Sequence, residues 1–394
     1  MQYPSLKTSS MSTLNHEERQ ERQPIPVLSL KSPAVAKLEE LLRRSLMLRL
    51  NGLGTPDTIT VKANFNSSKL AILFSGGLDC TVLARLAHDI LPNSEPIDLL
   101  NVAFENPRIH AKLTAETPYE ACPDRVTGRA AFAELQNVCP HRLWRFVEID
   151  VPYTETTAHR STIVSLIAPH DTEMDLSIAM ALYFASRGMG AIRSVPDGPP
   201  FDYTTSARVL LSGLGADELF AGYQRHATAF SRHGLQGLID ELQLDVSRLG
   251  KRNLGRDDRV LSHWSRETRF PYLDEEVVAW AMEAPVWEKT GFGSETTSQD
   301  GLSENGDDIE AGKKVLRLVA LKLGMKNVAR EKKRAVSSHV IGATKKAHKS
   351  LDTIRRTNGK DDNRQNKGDD ASLMKASKIS ERPKWFDPST ECPW

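Results

Sequence analysis

The chain has 394 residues, enough for one or two domains with a sizeable core. Its 52 lysines and arginines against 51 aspartates and glutamates leave a net charge of +1, which gives no electrostatic case for nucleic acid or a membrane surface as the main partner. Four cysteines, with no CxxC pair and no zinc-like spacing to histidine, argue against a disulfide framework and favour a reducing compartment. With no apolar run of transmembrane length and no secretory signal, we expect a cytoplasmic location, with the nucleus as the alternative.

The N-terminal part is expected to contain a disordered tail and one helix. Residues 1–30 are polar and lack periodicity, which predicts disorder. A helix is predicted from Pro33, with Ser32 as its N-cap, because apolar residues recur at helical spacing through SPAVAKLEELLRRSLMLRL. The stretch NGLGTPDTITVKANFNSS that follows is predicted to be a loop.

Strand-like and helix-like segments then alternate along the chain. The predicted strands are KLAILF, IDLLNVAF, RLWRFVEIDV and RVLLSGL, and the predicted helices between them include TVLARLAHDIL and RAAFAELQNVCP. Thr172 to Asp175 has a capping-box pattern that opens a further helix, and Gly188 closes it. This alternation predicts an α/β fold with a parallel sheet and helices on both faces, in which ligands bind beyond the carboxyl ends of the strands.

The remainder of the chain is predicted to be mainly helical from about Ala227. The Gly- and Ser-rich acidic stretch 291–312 is predicted to be a mobile loop within a domain that spans residues 31–345. Residues 346–394 are charged, with few apolar positions, and are expected to form a largely disordered tail.

The hexapeptide SGGLDC, from Ser75 to Cys80, has the features of a polyphosphate-binding loop. A helix N-terminus offers unpaired N–H groups, and Gly76 and Gly77 let the backbone approach an anion closely. No GK[ST] sequence follows, which excludes a Walker A loop. Asp79 would repel a bare phosphate, so its position indicates that Mg²⁺ accompanies the phosphates. An ordinary tight turn between a strand and a helix remains the alternative at this stage.

A second segment, RVLLSGLGADELFAGYQRH, also leaves a predicted strand end. Ser212 and Gly213 follow the strand, and Asp217 and Glu218 bring two carboxylates to the first turn of a helix. Such a pair is suited to holding Mg²⁺ or orienting an amino group. The alternative is that the helix dipole favours acidic residues at this position without any ligand.

These segments resemble a known family. SGGLDC is similar to the pyrophosphate loop SGGxDS of the N-type ATP pyrophosphatases, and SGLGADELFAGY is similar to the asparagine synthetase segment SGEGSDExFGGY. RDDRVLSHWSRETRFPYLD and GKKVLRLVALKLG resemble two further synthetase stretches, and all four follow the synthetase order. PDRVTGRAAFAEL and DTEMDLSIAMALYFASRG narrow the resemblance to the asparagine synthetase domain-containing protein 1 family. The resemblance covers most of residues 31–345 and implies an adenine nucleotide alpha hydrolase-like (HUP-type) fold.

The resemblance implies a reaction, its cofactors and a set of site residues. ATP and Mg²⁺ would convert aspartate or a related carboxylic acid into an acyl-adenylate with release of pyrophosphate, and an amine would then displace AMP. The implied metal ligands are Asp79 and Asp217. The implied catalytic residues are Asp217, Glu218, Arg269 and Lys313. The implied nucleotide-binding residues are Leu73, Ser75, Gly76, Gly77, Asp79, Cys80, Val102, Ser212 and Gly213. Taken without the family, Arg269 also suits a surface ion pair and Lys313 a solvated helix start.

Three departures from the family pattern leave two hypotheses open. Cys80 replaces a serine donor, Leu214 replaces a glutamate tied to the amidation chemistry, and Ala335 stands in the register of a lysine. The preserved loops favour a ligase, whereas the departures favour an ATP-binding pseudo-enzyme or scaffold. Class-II synthetases begin with a glutaminase domain whose catalytic cysteine follows the initiator methionine. Gln2 stands at that position here, so we expect a separate ammonia source or glutaminase as partner.

Overall fold

The computed structural model describes residues 26–53, 67–107, 118–194, 198–294 and 309–332. Several sequence predictions fall outside these ranges. They concern most of the N-terminal tail (1–25), most of the acidic loop (295–308), the C-terminal tail (346–394) and Ala335.

A seven-stranded sheet forms the centre of the described fold. The strands are β1 (Leu70–Leu73), β2 (Ile97–Phe104), β3 (Trp144–Val151), β4 (Met189–Arg193), β5 (Pro200–Thr204), β6 (Val209–Leu211) and β7 (Glu267–Arg269). Their spatial order is β5-β4-β3-β2-β1-β6-β7. The strands from β3 to β7 in this order pair in parallel, and β4 and β5 add an antiparallel hairpin at one edge. The predicted parallel sheet is confirmed, and the hairpin is an addition that the sequence analysis missed.

Helices cover both faces of the sheet, as predicted. The first face carries α1 (Pro33–Leu50), α2 (Leu78–Ile90), α3 (Pro123–Val138), α11 (Lys314–Lys322) and α12 (Lys326–Arg330). The second face carries α4 (Tyr153–Ile167), α5 (Glu173–Arg187) and α8 (Gly255–Ser262). The remaining elements are α6 (Ala216–Leu219), α7 (Gln224–Leu249), a π-helical turn (Gly250–Leu254), a 3₁₀ turn (Pro271–Leu273), α9 (Glu275–Glu283) and α10 (Val286–Lys289).

The alternation of side chains along the central strand explains the two cores. Leu70 and Ile72 belong to the core cluster under α1, α2 and α11, whereas Ala71 between them belongs to the cluster under α5. Successive residues of a strand point to opposite faces, so a strand covered on both sides tends to be apolar at consecutive positions. This is why β1 is a continuous apolar run, and why the loops after the strands, rather than the faces of the sheet, are left to contact ligands.

The capping predictions had different outcomes at the two helices concerned. At α5 the hydroxyl of Thr172 accepts a hydrogen bond from the Asp175 N–H at 3.1 Å, and Gly188 ends the helix with a φ of 70°. At α1 the helix begins at Pro33 as predicted, but the Ser32 hydroxyl forms no cap. It accepts instead from the Ser29 N–H at 2.9 Å, which closes the turn before the helix.

A long helical segment from α7 to α8 changes its winding twice. α7 is interrupted at Gly234, whose φ of 63° and ψ of −152° are not helical. After Leu249 the chain continues without a break into the π-helical turn and then into α8, because the joining residues keep right-handed helical angles.

In the part of the chain that the structure describes, no helix has both the length and the apolar character required to cross a bilayer.

Candidate active site

A cavity of about 1030 Å³ opens at the carboxyl ends of β1, β2 and β6. Its volume lies at the upper end of the roughly 300–1,000 Å³ typical of small-molecule sites. The strand-end residues Leu73, Val102 and Ser212 line it, and α5 supplies an apolar wall. This is the edge of a parallel α/β sheet at which ligands bind. The cavity therefore lies where the sequence analysis expected the nucleotide.

The loop between β1 and α2 depends on a glycine at its centre. Gly76 has a φ of 79°, and a Cβ placed on it would lie 2.4 Å from the Thr127 carbonyl oxygen of α3. Only glycine combines that backbone angle with so close an approach. The residues on either side, Ser75 and Gly77, line the cavity, and α2 begins directly after Gly77. The predicted loop geometry is therefore present, with the N-terminus of α2 at the cavity.

Cys80 lies in the first turn of α2 and holds the loop from inside. Its thiol donates to the Gly77 carbonyl oxygen at 3.2 Å and lies 3.9 Å from the Ser75 hydroxyl. Burial raises the pKa of the Cys80 thiol, and the neighbouring Asp79 charge adds to this effect. The thiol therefore stays protonated and supports the loop rather than acting as a nucleophile.

The loop after β6 packs in direct contact with the loop between β1 and α2. The Ser212 N–H donates to the Arg269 carbonyl oxygen at 3.0 Å, which keeps this strand end beside β7. A Cβ on Gly213 would lie only 2.9 Å from the Cβ of Asp79, so a glycine is needed for the two loops to touch. Gly215 then turns the chain with a φ of 104° into α6. The short helix α6 carries Asp217 into the cavity wall.

Lys313 joins the two loops through their carboxylates. Its Nζ lies 2.6 Å from Asp79 Oδ2 and 2.7 Å from Asp217 Oδ1. The lysine side chain is only 4% exposed, whereas the two aspartates keep 21% and 18%. Burial alone would lower the pKa of Lys313, but Asp217 and Asp79 outweigh it and raise that pKa above its usual value. The ammonium is therefore charged, and the predicted Asp79, Asp217 and Lys313 are brought together.

The two carboxylates fit a divalent cation by the chemistry of their oxygens. Mg²⁺ is usually held by one or two carboxylates, with water and phosphate oxygens completing its shell. Across the described ranges no group of three or more histidine, cysteine, aspartate or glutamate residues could hold a metal ion. A cation at Asp79 and Asp217 would thus draw its other ligands from a bound nucleotide or from water.

Glu218 is buried and held by two donors. Its side chain is 3% exposed, and its Oε1 accepts from the Tyr223 hydroxyl at 2.7 Å and from Asn253 Nδ2 at 3.1 Å. Burial raises the pKa of Glu218, the Tyr223 bond opposes that rise, and Asp217 adds to it. The sequence analysis found Glu218 but missed both residues that position it.

Arg269 is not brought into the cavity, contrary to the prediction. Its Nε donates to Glu267 Oε1 at 2.8 Å, and another guanidinium nitrogen donates to the Arg49 carbonyl oxygen. The cause is the packing of α1 beside the end of β7, where Arg49 also forms an ion pair with Asp274 at 2.7 Å. In this structure Arg269 joins α1 to the sheet, which matches the alternative of an ion-paired residue.

The sequence analysis also missed a helical wall of the cavity. The π-helical turn and the helix ends on either side of it place six residues between 248 and 257 along the cavity: Arg248, Leu249, Arg252, Asn253, Arg256 and Asp257. Arg256 is 3% exposed and pairs with Asp175 of α5 at 2.5 Å and with Asp257 at 2.8 Å. The arginines recur every four residues in this segment, a signal that could have indicated a shared face.

Comparisons with known proteins show which family the chain resembles. The asparagine synthase family model matches residues 201–240 and 233–381. Asparagine synthetase domain-containing protein 1 of Bos taurus is 42% identical over 306 residues, which are 70% of this chain and 46% of that protein. Its Homo sapiens counterpart is 42% identical over 299 residues, 68% of this chain and 44% of that protein. A putative glutamine-hydrolyzing asparagine synthetase of Methanocaldococcus jannaschii is 48% identical over 79 residues, 20% of this chain and 15% of that protein.

This chain spans just under half the length of the first two relatives. The match with them nevertheless covers more than two thirds of the chain, and the family model covers the loop that carries Asp217 and Glu218. The sheet of this fold, with helices on both faces, is that of the HUP-like proteins. The chain therefore belongs to the asparagine synthetase domain-containing protein 1 family.

Proposed function

We propose that this chain is an ATP-dependent carbon–nitrogen ligase of the asparagine synthetase type. It activates the carboxyl group of aspartate or a related acid as an acyl-adenylate, releases pyrophosphate and transfers the acyl group to an amine. Activation is needed because an oxide ion is a very poor leaving group from a carboxylate, whereas AMP is a good one. The observation that carries the proposal is the Lys313 ammonium between Asp79 and Asp217 at the strand-end cavity.

The loop residues suit the binding of a departing pyrophosphate. The Ser75 hydroxyl and the N-terminus of α2 provide donors for phosphate oxygens, and glycine at 76 and 77 keeps side chains out of the way. The buried positive charge of Lys313 would stabilise the negative charge that builds on the leaving group. Asp79 and Asp217 would hold Mg²⁺, which supplies further charge neutralisation to the phosphates when bound.

The apolar part of the cavity suits the adenosine moiety. Leu73 and Val102 lie at neighbouring strand ends, and the face of α5 toward them is formed by Ile178, Ala181 and Leu182. Small-molecule sites are lined mainly by such apolar groups, with few polar groups that fix orientation. In this arrangement Ser212 and Gly213 would border the ribose or the α-phosphate, as the family resemblance implies.

One observation favours a second candidate function. Leu214 lines the cavity at the position where asparagine synthetases carry glutamate, and leucine cannot accept a proton from an attacking amine. The second candidate is an ATP-binding pseudo-enzyme or scaffold with little or no amidation activity. Both candidates require MgATP binding, and they differ in whether a carboxylic acid is adenylated.

The test is ATP–pyrophosphate exchange with aspartate and a panel of other carboxylic acids, run beside calorimetric titration of MgATP. The ligase predicts acid-dependent exchange that falls about 10²-fold or more in Asp79→Asn and Asp217→Asn, the scale of losing one charge-stabilising group. Asp240→Asn is the matched control, because Asp240 is an exposed aspartate of α7 that does not line the cavity. MgATP binding without exchange for any acid would refute the ligase and support the scaffold. Failure of MgATP to bind would refute both candidate functions.

A further inference from the structure

The helical wall of the cavity carries more positively charged than negatively charged side chains. Arg225 is paired with Glu241 at 3.1 Å and with Asp245, and Arg256 is paired with Asp175 and Asp257. Arg248 and Arg252 also line the cavity. Both are exposed, and within the described ranges neither forms a hydrogen bond or an ion pair. The wall therefore presents two guanidinium groups that no carboxylate among the described residues neutralises.

The winding of the helix places these arginines together. One turn of an α-helix takes 3.6 residues, so four residues make slightly more than one turn. Side chains repeated every four positions therefore shift gradually around the helix axis in one direction. A π-helical turn closes its hydrogen bonds over five residues and holds more than four residues per turn. Four residues then make slightly less than one turn, so the side chains shift in the opposite direction. Arg248, Arg252 and Arg256 span the turn Gly250–Leu254, so the two drifts oppose each other. The three arginines consequently share the face that lines the cavity.

A hydrogen bond connects this face to the carboxylates of the site. Asn253 lies next to Arg252 on the π-helical turn, and its Nδ2 donates to Glu218 Oε1 at 3.1 Å. Glu218 in turn follows Asp217, which lies 2.7 Å from Lys313. The arginine pair is thus built onto the same element that positions the acidic loop, and both open into one cavity.

We propose that Arg248 and Arg252 form an anion-binding subsite that selects the acid to be activated. The acid would carry a second anionic group, a carboxylate or a phosphate, in addition to the carboxyl group that reacts. A planar guanidinium can donate two parallel hydrogen bonds to either a carboxylate or a phosphate. A guanidinium at the cavity wall without a partner among the described residues has these donors available for a ligand. The assignment rests on the proposed function, because the reacting carboxyl is the one activated beside Asp79 and Asp217.

The experiment measures binding of acids that differ by one anionic group. Calorimetry is done with Mg²⁺ and α,β-methylene-ATP, which binds as ATP does but is not cleaved between the α and β phosphates. L-aspartate is compared with L-alanine, and O-phospho-L-serine with L-serine, so the two arms separate carboxylate from phosphate. In the natural chain the acid with the additional anionic group should bind at least about tenfold more tightly, a difference worth about 1.4 kcal/mol.

Variants assign that preference to the two arginines. Arg248→Ala with Arg252→Ala should bring the preference close to unity, and Arg248→Lys with Arg252→Lys should keep part of it, because lysine retains the charge without the fork. Arg232→Ala with Lys251→Ala removes the same total charge from exposed residues of the same helical segment that do not line the cavity. This control should keep the preference unchanged.

Three outcomes would overturn the subsite. They are equal binding within both pairs of acids, a preference that survives in the double alanine variant, and an equal loss in the control. Failure of the nucleotide analogue to bind would instead count against the proposed ligase. In that case the same acid titrations without nucleotide still decide the subsite, because the arginines do not depend on ATP for their place on the wall.

Discussion

Replacing Lys313 with methionine should leave the two loop carboxylates facing each other without a cation. Methionine keeps most of the apolar stem and removes the ammonium with its charge and its N–H donors. Breaking a fully buried ion pair by deleting one partner costs about 3–5 kcal/mol. Asp79 and Asp217 keep 21% and 18% of their exposure, so water solvates part of the uncompensated charge. We therefore expect Lys313→Met to lower the free energy of unfolding by roughly 2–3 kcal/mol.

Mg²⁺ should reverse much of this loss. Without the ammonium, a divalent cation becomes the main counter-charge for both carboxylates, whereas in the natural chain it must compete with Lys313 for them. A ligand that binds only the folded state stabilises it in proportion to the logarithm of its concentration over its dissociation constant. Urea unfolding at constant ionic strength, with MgCl₂ or NaCl, should show a larger Mg²⁺ stabilisation for Lys313→Met than for the natural chain.

Lys322→Met is the control, because it deletes a lysine from the other end of the helix that Lys313 precedes as N-cap. Lys322 Nζ lies 2.8 Å from Glu39 Oε2, but the lysine is 46% exposed. A surface ion pair of this kind contributes about 0–1 kcal/mol. The reasoning fails if both variants lose the same stability, or if Mg²⁺ stabilises Lys313→Met no more than the natural chain.

Three further substitutions test separate features. Gly76→Ala should lose roughly 1–3 kcal/mol more than Gly52→Ala in urea unfolding, because both glycines have a positive φ but only the first has backbone within 4 Å of an added Cβ. An equal loss would show that the contact with α3 is dispensable. Burial raises the pKa of Glu218 above 4.5, so its contribution to stability should fall as pH rises from 4.5 through the folded pKa, and Glu218→Gln should abolish this fall. Unchanged pH dependence of unfolding in that variant would contradict the assignment. Leu214→Glu should increase ammonia-dependent asparagine formation from aspartate, because a positioned base contributes roughly 10²–10⁴-fold. Ordinary synthetase rates in the natural chain would show that the leucine limits nothing.

β1, β2, β3 and β6 could be predicted because each falls in an apolar-rich segment that alternates with helical patterns along the chain. The hairpin of β4 and β5 could not, since it is short and most of its residues are at least partly exposed. Its attachment depends on contacts with β2 and β3 that are distant in sequence. Tyr203 donates to the buried carboxylate of Asp98 at 2.8 Å, which gives a polar residue within the apolar segment IDLLNVAF a structural partner.

The residues of the candidate site also fall into those that could be predicted from the sequence and those that could not. Ser75, Asp79, Asp217 and Glu218 lie in the loops and first helical turns after strand ends, so the topology of a parallel sheet places them together once the strands are known. Side chains that depend on packing between distant elements were harder to place. Arg269 lies at a strand end, where a site residue is expected. Its guanidinium nevertheless donates a hydrogen bond to the backbone carbonyl oxygen of Arg49 in α1. The arginines near the π-helical turn were missed although their four-residue spacing indicates a shared face, because the sequence does not show that this face lines the cavity.

The place of β1 in the sheet has a consequence for how the chain is made. Leu70 pairs with Ile97 of β2 on one side and with Val209 of β6 on the other. At translation rates of about 5–20 residues per second, β6 is made on the order of ten seconds after β1. During that interval the nascent chain carries an apolar strand with one open edge, the kind of surface that invites wrong pairing and chaperone binding. Ribosome-bound chains that stop before β6 should therefore bind chaperones and lack the strand-end cavity altogether.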